Sequence, residues 1–224
     1  MSDMANRQTV TVDIVSDVVC PWCYIGKRRL ENALAMAPDL DVDLRWRPFQ
    51  LDSTIPEGGI SRKDYMDRKF GPERAATVHD RVREVGAEVG IPFAFEKITR
   101  SPNTLDAHRL LRWALDAGCQ ELLKERLMQL YFVEGADVGD HAVLAKAAAE
   151  CGIDEDDVRR RLASDEDVES VRAEIDRVQK LGVNGVPFFI IAGKYGLSGA
   201  QPSEIIVQAL RQAANDQMNE DSGQ

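Results

Sequence analysis

The stretch SDVVCPWCYIGKRRLE, residues 16–31, holds Cys20 and Cys23 on either side of a proline and a tryptophan. The residues before it, TVTVDIV at 9–15, alternate apolar and polar side chains, which is typical of a strand with one buried face. From Pro21 onward apolar residues recur at helical spacing, and proline is favoured in the first turn of a helix. The cysteine pair is therefore predicted to lie where a strand gives way to a helix.

A second strand, a helical block and a strand-rich end make up the rest of the chain. Residues 41–50, DVDLRWRPFQ, alternate again and complete a parallel β-α-β start. From about residue 53 to residue 180, capping residues and apolar stripes predict an all-helical region. VPFFIIAGKYGLSG at 186–199 predicts two strands around a turn, and a helix at 202–216 precedes a frayed polar tail. The sequence thus predicts an α/β chain.

Helices are expected at several places within the helical block, with one loop or extended stretch at 91–99. They are predicted in SRKDYMDRKFG at 61–71, with a Ser61–Asp64 capping signal, in GPERAATVHDRVREVGAEVG at 71–90, between Asn103 or Thr104 and Gly118, and at 120–133, 140–151, 155–163 and 165–181.

Composition and charge narrow the functional classes. The chain has 224 residues, enough for a well-buried core and two lobes, with 44% hydrophobic and 29% charged residues. The net charge is −10, and residues 150–176 alone carry eleven acids against four arginines. Nucleic acid and anionic membranes are therefore not expected as partners, and the acidic stretch is interpreted as a solvated helical face.

The first ten residues, MSDMANRQTV, lack the apolar core of a secretion signal, and no apolar run has the length of a membrane span. We therefore expect a cytoplasmic protein. A reducing compartment disfavours permanent disulfides, so a close cysteine pair there is more often catalytic, redox-sensing or metal-binding.

The spacing of the pair suits a reversible disulfide. Residues three apart in a helical turn have Cβ atoms about 5–6 Å apart on one side, and bridged cysteines have Cα atoms about 4.4–6.8 Å apart. Cys20 would lie nearest the unpaired N–H groups at the helix start, where a thiol pKa is lowered. This predicts Cys20 as the nucleophile and Cys23 as the resolving thiol.

Two alternatives to a redox role for the Cys20–Cys23 pair are a zinc site and a pair of inert cysteines in the core. A zinc site needs two further ligands, but Cys119 and Cys151 stand alone in the sequence and the three histidines are scattered. We therefore favour redox chemistry and predict no metal. Cys119 and Cys151 are interpreted as small buried hydrophobic residues.

The segment NGVPFFI, residues 184–190, is the second candidate. A proline at the start of a strand removes a ladder donor. A cis Val186–Pro187 bond, which would present backbone beside the cysteines, would explain a proline at this position. The alternative is a trans proline at the start of an edge strand.

Five motifs together carry a resemblance to a known family. They are SDVVCPWCYIGK at 16–27, WRPF at 46–49, SPNTLDAHRL at 101–110, GVPFFI at 185–190 and GLSGAQ at 196–201. The chain resembles the DsbA family of thioredoxin-fold proteins, in particular its cytosolic FrnE-like branch, which is related to 2-hydroxychromene-2-carboxylate isomerase and kappa-class glutathione transferase. The resemblance runs from end to end.

The resemblance implies a thioredoxin fold formed by residues 9–52 and 181–216, interrupted by a helical insertion at 53–180. It also implies that Cys20 attacks, that Cys23 resolves, and that a cis Pro187 faces them. Pro21 and Trp22 would form the rest of the active-site wall. Trp22 would either cover the cysteine pair or contact the substrate, and a purely structural packing role is the alternative.

In the isomerase and transferase relatives, a serine at the position of Cys20 addresses glutathione. Candidate glutathione-binding positions are Val186, Ser198, Gly199, Ala200 and Gln201, although the charged residue of those relatives near Ala200 is absent here. Asn103 and His108 belong to the family signature, and His108 is either a proton donor or a packing histidine.

The predicted function is therefore a cytosolic thiol–disulfide oxidoreductase or isomerase, a monomer or homodimer that acts on disulfide- or thiol-containing proteins or small molecules. It requires no cofactor, and glutathione is a candidate co-substrate. One alternative is a glutathione-dependent isomerase or transferase for a small aromatic substrate. A redox-sensing or holdase module is the non-enzymatic alternative.

Overall fold

The structure is a computed structural model, and residues 9–75 and 77–222 are described. The polar leader at 1–8, the end of the tail at 223–224, and the side chain of Ala75 lie outside the described residues. The strands are β1 (Thr9–Ser16), β2 (Asp41–Pro48), β3 (Ile60–Ser61), β4 (Arg100–Ser101), β5 (Phe188–Ile191) and β6 (Tyr195–Ser198). The helices are α1 (Pro21–Met36), α2 (Arg62–Phe70), α3 (Pro72–Ala75), α4 (Asp80–Glu88), α5 (Leu105–Asp116), α6 (Gln120–Gln129), α7 (His141–Glu150), α8 (Glu155–Leu162), α9 (Val168–Lys180) and α10 (Ser203–Ser222).

A four-stranded mixed sheet in the order β2-β1-β5-β6 brings the two ends of the sequence together. β1 and β2 are parallel, as the intervening α1 requires, whereas β5 is antiparallel to both β1 and β6. Ala192 and Gly193 both have positive φ in the β5–β6 turn. The prediction of an α/β chain with a β-α-β start and a terminal hairpin is confirmed.

Each face of the sheet is covered by helices. Alternating side chains of β1, among them Val10, Val12 and Ile14, pack against α1 and α10 in one apolar cluster. Val15 points to the other face, where it joins a cluster with Val178 at the end of α9. The period-two pattern of the sequence therefore corresponds to a sheet buried on both sides.

At the outer edge of β2, a side chain from the helical region pairs with the backbone of one residue, Trp46. The Gln120 Oε1 accepts from the Trp46 amide at 2.9 Å, and its Nε2 donates to the Trp46 carbonyl at 3.2 Å and to the Leu111 carbonyl at 3.1 Å. An open edge would expose these backbone groups for pairing with another chain. Gln120 satisfies them and fixes α6 against the sheet.

The region from 53 to 180 is not entirely helical, so that expectation is wrong in detail. β3 and β4 form a small antiparallel pair. The predicted helix at 71–90 is broken between α3 and α4, where His79 stacks on Phe95 with ring centroids 4.0 Å apart. The predicted helix at 120–133 ends as α-helix at Gln129 and continues as one π-helical turn to Glu134.

The chain end is also more ordered than its polarity suggests. α10 runs to Ser222, so the first four residues of the expected frayed tail, 219–222, are helical. Lys194 of the β5–β6 turn forms an ion pair with Glu220 at 3.2 Å, which holds this last turn against the hairpin.

The largest cluster of buried apolar side chains joins α1 to the helical region. Cys20, Cys23, Tyr24 and Ile25 pack in one continuous core with side chains from the helical region, including Phe132 of the π-helical turn. The boundaries at 53 and 180 remain a prediction, because the core runs across them. In the described part of the chain, helices long and apolar enough to cross a membrane are absent.

Candidate active site

Cys20 occupies the N-cap position of α1. Its backbone is extended, with φ −93° and ψ 113°, and its carbonyl accepts from the amides of Cys23 at 3.0 Å and Tyr24 at 3.3 Å. The N-cap side chain accepts no capping hydrogen bond from the helix. The sulfur of Cys20 therefore lies at the helix start, where the positive end of the dipole favours a thiolate.

The two thiols differ in access. Both cysteines are free. Cys20 is 4% exposed and lines a cavity, whereas Cys23 is 0% exposed and does not line it. Of the two cysteines, Cys20 is therefore the one that borders the cavity.

The thiols titrate as a pair. Burial raises the pKa of Cys23, but the hydrogen bond from Cys20 and the positive charge of Lys124 outweigh it, so the pKa of Cys23 lies below its ordinary value. The hydrogen bond with Cys23, followed by burial, raises the pKa of Cys20 well above its ordinary value. The expectation that the helix start lowers the pKa of Cys20 is therefore wrong, because these two effects outweigh the helix dipole. The pair thus accommodates one negative charge readily and a second one reluctantly.

Charge and access favour different sulfurs. The pKa directions place the negative charge of the resting pair on Cys23, whereas the thiol that borders the cavity is Cys20. The N-terminus of α1 is a further source of stabilisation for a negative charge on Cys20.

The wall facing Cys20 is supplied by the segment before β5. The Val186–Pro187 peptide bond is cis, and the Cys20 Sγ lies 3.6 Å from the Val186 carbonyl oxygen. Pro187 packs directly on α1, where a Cβ added to Gly26 would lie 2.9 Å from the Pro187 Cγ. Glycine at 26 is therefore needed for this close approach.

A buried group of polar side chains lies behind the thiols. The Asp17 Oδ2 accepts from the Leu51 amide at 2.8 Å, and its Oδ1 lies 3.5 Å from the His108 Nε2. That ring nitrogen is closer to the Phe49 carbonyl oxygen, at 2.9 Å. Burial raises the pKa of Asp17, but its contacts with His108 and the Leu51 amide bring it below the ordinary value.

Lys124 of α6 is the buried cation of this group. It is 0% exposed, and its Nζ has no hydrogen-bond partner among the described residues. Burial lowers its pKa to about 8, against the opposing negative charges of Cys23 and Asp17. Lys124 and Asp17 are not among the site residues predicted from the sequence. Lys124 lies beside Leu123 on the apolar face of α6, and a charged residue at such a position is the signal that marks it.

The cavity has a volume of about 360 Å³. Its walls come from the start of α1, the segment before β5, and the helical region between residues 51 and 131. Its lining residues include Cys20, Pro21, Trp22, Leu51, Ile55, Arg62, Tyr65, Met66, Phe70, Val78, His79, Val82, Ser101, Tyr131 and Val186. Trp22, 37% exposed, is thus a wall residue at the opening.

The other candidates do not line this cavity. The Asn103 amide donates to the Ile55 carbonyl at 2.7 Å, while its oxygen accepts from Gln50 and from the Leu105 amide, both at 2.9 Å. Asn103 thus fixes the start of α5 to the loop after β2. His108 supports Asp17 from behind the cysteines.

The predicted glutathione segment lies beside Pro187, and its polar groups are used internally. The Gly199 amide donates to the Pro187 carbonyl at 2.8 Å, and the Ala200 carbonyl accepts from Arg29 at 2.5 Å. The Gln201 side chain donates to the Ser198 carbonyl at 2.7 Å.

The remaining two cysteines are near each other in space. Cys119 precedes α6 and Cys151 follows α7, and after burial the charge of Cys119 is the next cause that raises the pKa of Cys151. Within residues 9–75 and 77–222 no group of three or more histidine, cysteine or acidic side chains is arranged to hold a metal ion.

Comparisons with known proteins agree with this architecture. A probable DsbA oxidoreductase from Streptomyces coelicolor is 35% identical, with a TM-score of 0.84 over 91% of this chain and 89% of that protein. The uncharacterized protein YwbO of Bacillus subtilis is 25% identical over 204 residues, which cover 90% of this chain and 96% of YwbO.

The cytosolic disulfide reductase DsbM of Pseudomonas aeruginosa, in a structure with GSH, shares the fold. Its TM-score is 0.57 at 18% identity, over 94% of this chain and 98% of DsbM. The DSBA-like thioredoxin domain matches residues 11–211. The chain belongs to the DsbA-like family of thioredoxin-fold oxidoreductases.

Proposed function

We propose that this protein is a cytosolic thiol–disulfide oxidoreductase in which Cys20 attacks and Cys23 resolves. The observation that carries the proposal is the contrast between the two thiols: Cys20 lines the cavity, and Cys23 lies buried behind it. A dithiol in which one sulfur borders a cavity and the other is enclosed reacts with a disulfide in a defined order.

The reaction consists of two exchanges. The Cys20 thiolate attacks one sulfur of the substrate disulfide, forms a mixed disulfide, and releases the other substrate sulfur as a thiolate. The proton that Cys20 gives up to Cys23 then passes to the released thiolate, the Cys23 thiolate attacks the Cys20 sulfur, and the second substrate sulfur leaves as a thiolate. The substrate gains two electrons and becomes a dithiol, with one proton from the thiol pair and one from solvent, and the protein ends with a Cys20–Cys23 disulfide.

A cellular dithiol or two molecules of a monothiol such as glutathione reverse these exchanges and regenerate the reduced protein. The same mixed disulfide, released by a substrate thiol instead of Cys23, rearranges a disulfide without net oxidation. The proposal therefore includes reductase and isomerase activity. The cytosolic disulfide reductase DsbM, which has the same fold, supports the cytosolic assignment.

The buried groups behind the pair serve this chemistry. Lys124 stabilises the negative charge of the resting pair, and the Asp17–His108 contact holds the turn that leads into Cys20, whose amide donates to the Asp17 carbonyl at 3.2 Å. The Val186 carbonyl beside the Cys20 sulfur supplies backbone along which a substrate segment can lie.

The test is the reduction of insulin by dithiothreitol, with wild type, Cys20→Ser and Cys23→Ser compared. We expect Cys20→Ser to be inactive and Cys23→Ser to accumulate a mixed disulfide, which mass spectrometry identifies on Cys20. Cys119→Ser is the matched control and keeps full activity. Full activity of Cys20→Ser would disprove the proposal, and glutathione-dependent turnover that survives Cys23→Ser would support the isomerase or transferase alternative.

A further inference from the structure

Arg62, the first residue of α2, lines the same cavity as Cys20 and is half-buried. Its guanidinium lies 3.4 Å from both the Ser101 Oγ and the Tyr131 hydroxyl oxygen, and 3.2 Å from the His79 Nε2. All three neighbours are neutral groups. Within the described residues, no carboxylate forms an ion pair with Arg62, whereas most other arginines of this acidic chain have one.

The groups that hold Arg62 do not neutralise it. Burial, followed by the charges of Arg62 and Arg83, lowers the pKa of His79 to about 4, so His79 accepts from Arg62 as a neutral ring. Burial raises the pKa of Tyr131 to about 12, so this hydroxyl is neutral as well. The neighbours of Arg62 therefore hold its guanidinium in place without supplying a negative charge.

Lys69 adds a second cation at the cavity wall. Its Nζ donates to the Tyr65 hydroxyl at 2.6 Å and lies 5.1 Å from the Tyr65 ring centroid. It too forms no ion pair with a carboxylate among the residues that the structure describes. Two cations of one short helix thus share a cavity with the reactive thiol.

The acids of the cavity lining are engaged locally. Asp17 is held by the Leu51 amide and lies near His108. The Asp52 Oδ1 accepts from the amide and the hydroxyl of Thr54, at 3.0 Å and 2.6 Å. Neither Asp17 nor Asp52 forms an ion pair with Arg62.

The remaining walls are apolar or aromatic, among them Ile55, Met66, Phe70 and Val82. A volume of about 360 Å³ lies within the range of small-molecule sites, roughly 300–1,000 Å³. The cavity therefore combines a thiol, an apolar lining and a cation that lacks an anionic partner.

We propose that the cavity binds small disulfides that carry a carboxylate on an apolar or aromatic body, with Arg62 binding the carboxylate while Cys20 attacks the disulfide. This substrate class rests on the proposed thiol–disulfide function. An arginine that contributes a charge-assisted hydrogen bond to a carboxylate in a partly desolvated site discriminates strongly against a neutral analogue.

The test compares two aromatic disulfides with reduced protein by stopped-flow absorbance. 5,5′-Dithiobis(2-nitrobenzoate) is anionic, and 4,4′-dithiodipyridine is neutral at pH 7.5. In Arg62→Gln, we expect the second-order rate constant with the anionic probe to fall by about 10-fold or more, because a charge-assisted hydrogen bond is lost. The rate constant with the neutral probe is expected to stay within about 2-fold of the wild-type value.

Two controls isolate the charge of Arg62. Arg62→Lys keeps a cation and is expected to recover part of the anionic rate. Arg81→Gln removes an exposed arginine that pairs with Glu84 at 3.1 Å and is expected to change neither rate. Circular dichroism verifies that each variant is folded. If Arg62→Gln is unfolded, protection of the wild-type protein by benzoate against the anionic probe, but not the neutral one, provides the same test.

The outcomes separate the two proposals. Unchanged rates in folded Arg62→Gln, an equal loss with both probes, or no selective protection by benzoate would overturn the anionic substrate class alone. If the wild-type Cys20 reacts with neither probe, the proposed function itself fails.

Discussion

The Cys20 sulfur lies 3.6 Å from the Val186 carbonyl oxygen, although the two residues are 166 positions apart in the chain. The contact exists because β5 pairs with β1 and because Pro187 packs on α1 at Gly26. The nucleophile and the backbone that faces it are therefore positioned by one sheet and one close helix contact.

Gly26→Ala is expected to disturb this relationship. The new Cβ would lie 2.9 Å from the Pro187 Cγ, so α1 and the segment before β5 must separate slightly. We expect a loss of about 1–3 kcal/mol in the free energy of unfolding, together with a roughly 10-fold slower insulin reduction because the wall moves away from Cys20. Gly58→Ala is the control, since its Cβ would meet no atom within 4 Å. Equal behaviour of both variants would contradict the prediction.

Lys124→Met is expected to shift the ionisation of the thiol pair. The Lys124 charge lowers the pKa of Cys23, so its removal raises the pH at which the pair first loses a proton. The pH profile for alkylation of Cys20 by iodoacetamide should therefore move to higher pH, and methionine fills the buried space. Lys146→Met changes an exposed lysine of α7 and should leave the profile in place. An unmoved profile in Lys124→Met would exclude this role.

Lys27→Ala tests the buried ion cluster between α1 and α6. Lys27 is 2% exposed and pairs with Glu31, with Glu121 at 2.7 Å and with Glu125 at 3.1 Å. Removal of one partner from a buried ion pair costs about 3–5 kcal/mol. Because these glutamates are partly exposed and Arg28 still pairs with two of them, we expect a cost of about 2 kcal/mol in urea unfolding. Lys63→Ala, at an exposed pair with Asp67, should leave the unfolding midpoint unchanged.

His79 makes the stability depend on pH. Its pKa is lowered from 6.5 to about 4 in the folded protein, by burial and then by Arg62 and Arg83. Between these two pH values the unfolded chain binds a proton at His79 and the folded chain does not, so stability falls as the pH is lowered through this window. His79→Gln keeps a hydrogen-bond acceptor for Arg62 but has no side chain that binds a proton in this pH range.

We therefore expect the urea midpoint of wild type to decrease relative to that of His79→Gln as the pH falls from 6.5 to 4, and the difference to become constant below about pH 4. A difference that is independent of pH would show that His79 has no such shift.

The local elements were predictable because their signals lie within a few residues. The alternation in 9–15, Pro21 at the helix start and the glycine in the terminal turn correspond to β1, α1 and the β5–β6 hairpin. The helix break near His79 was not predictable, since His79 stacks on Phe95 and contacts Arg62, both distant in the sequence. The helical end of α10 likewise depends on Glu220 reaching Lys194.

By itself the sequence determined the α/β class and the position of the C-P-W-C pair at a strand-to-helix junction, because periodicity and capping act locally. Only the tertiary structure decided what surrounds the pair. Lys124 lies on α6 and Arg62 on α2, and chain folding alone brings this buried lysine near Cys23 and this arginine into the cavity of Cys20. Burial and charge at a site are properties of the packed whole, so no stretch of sequence contains them.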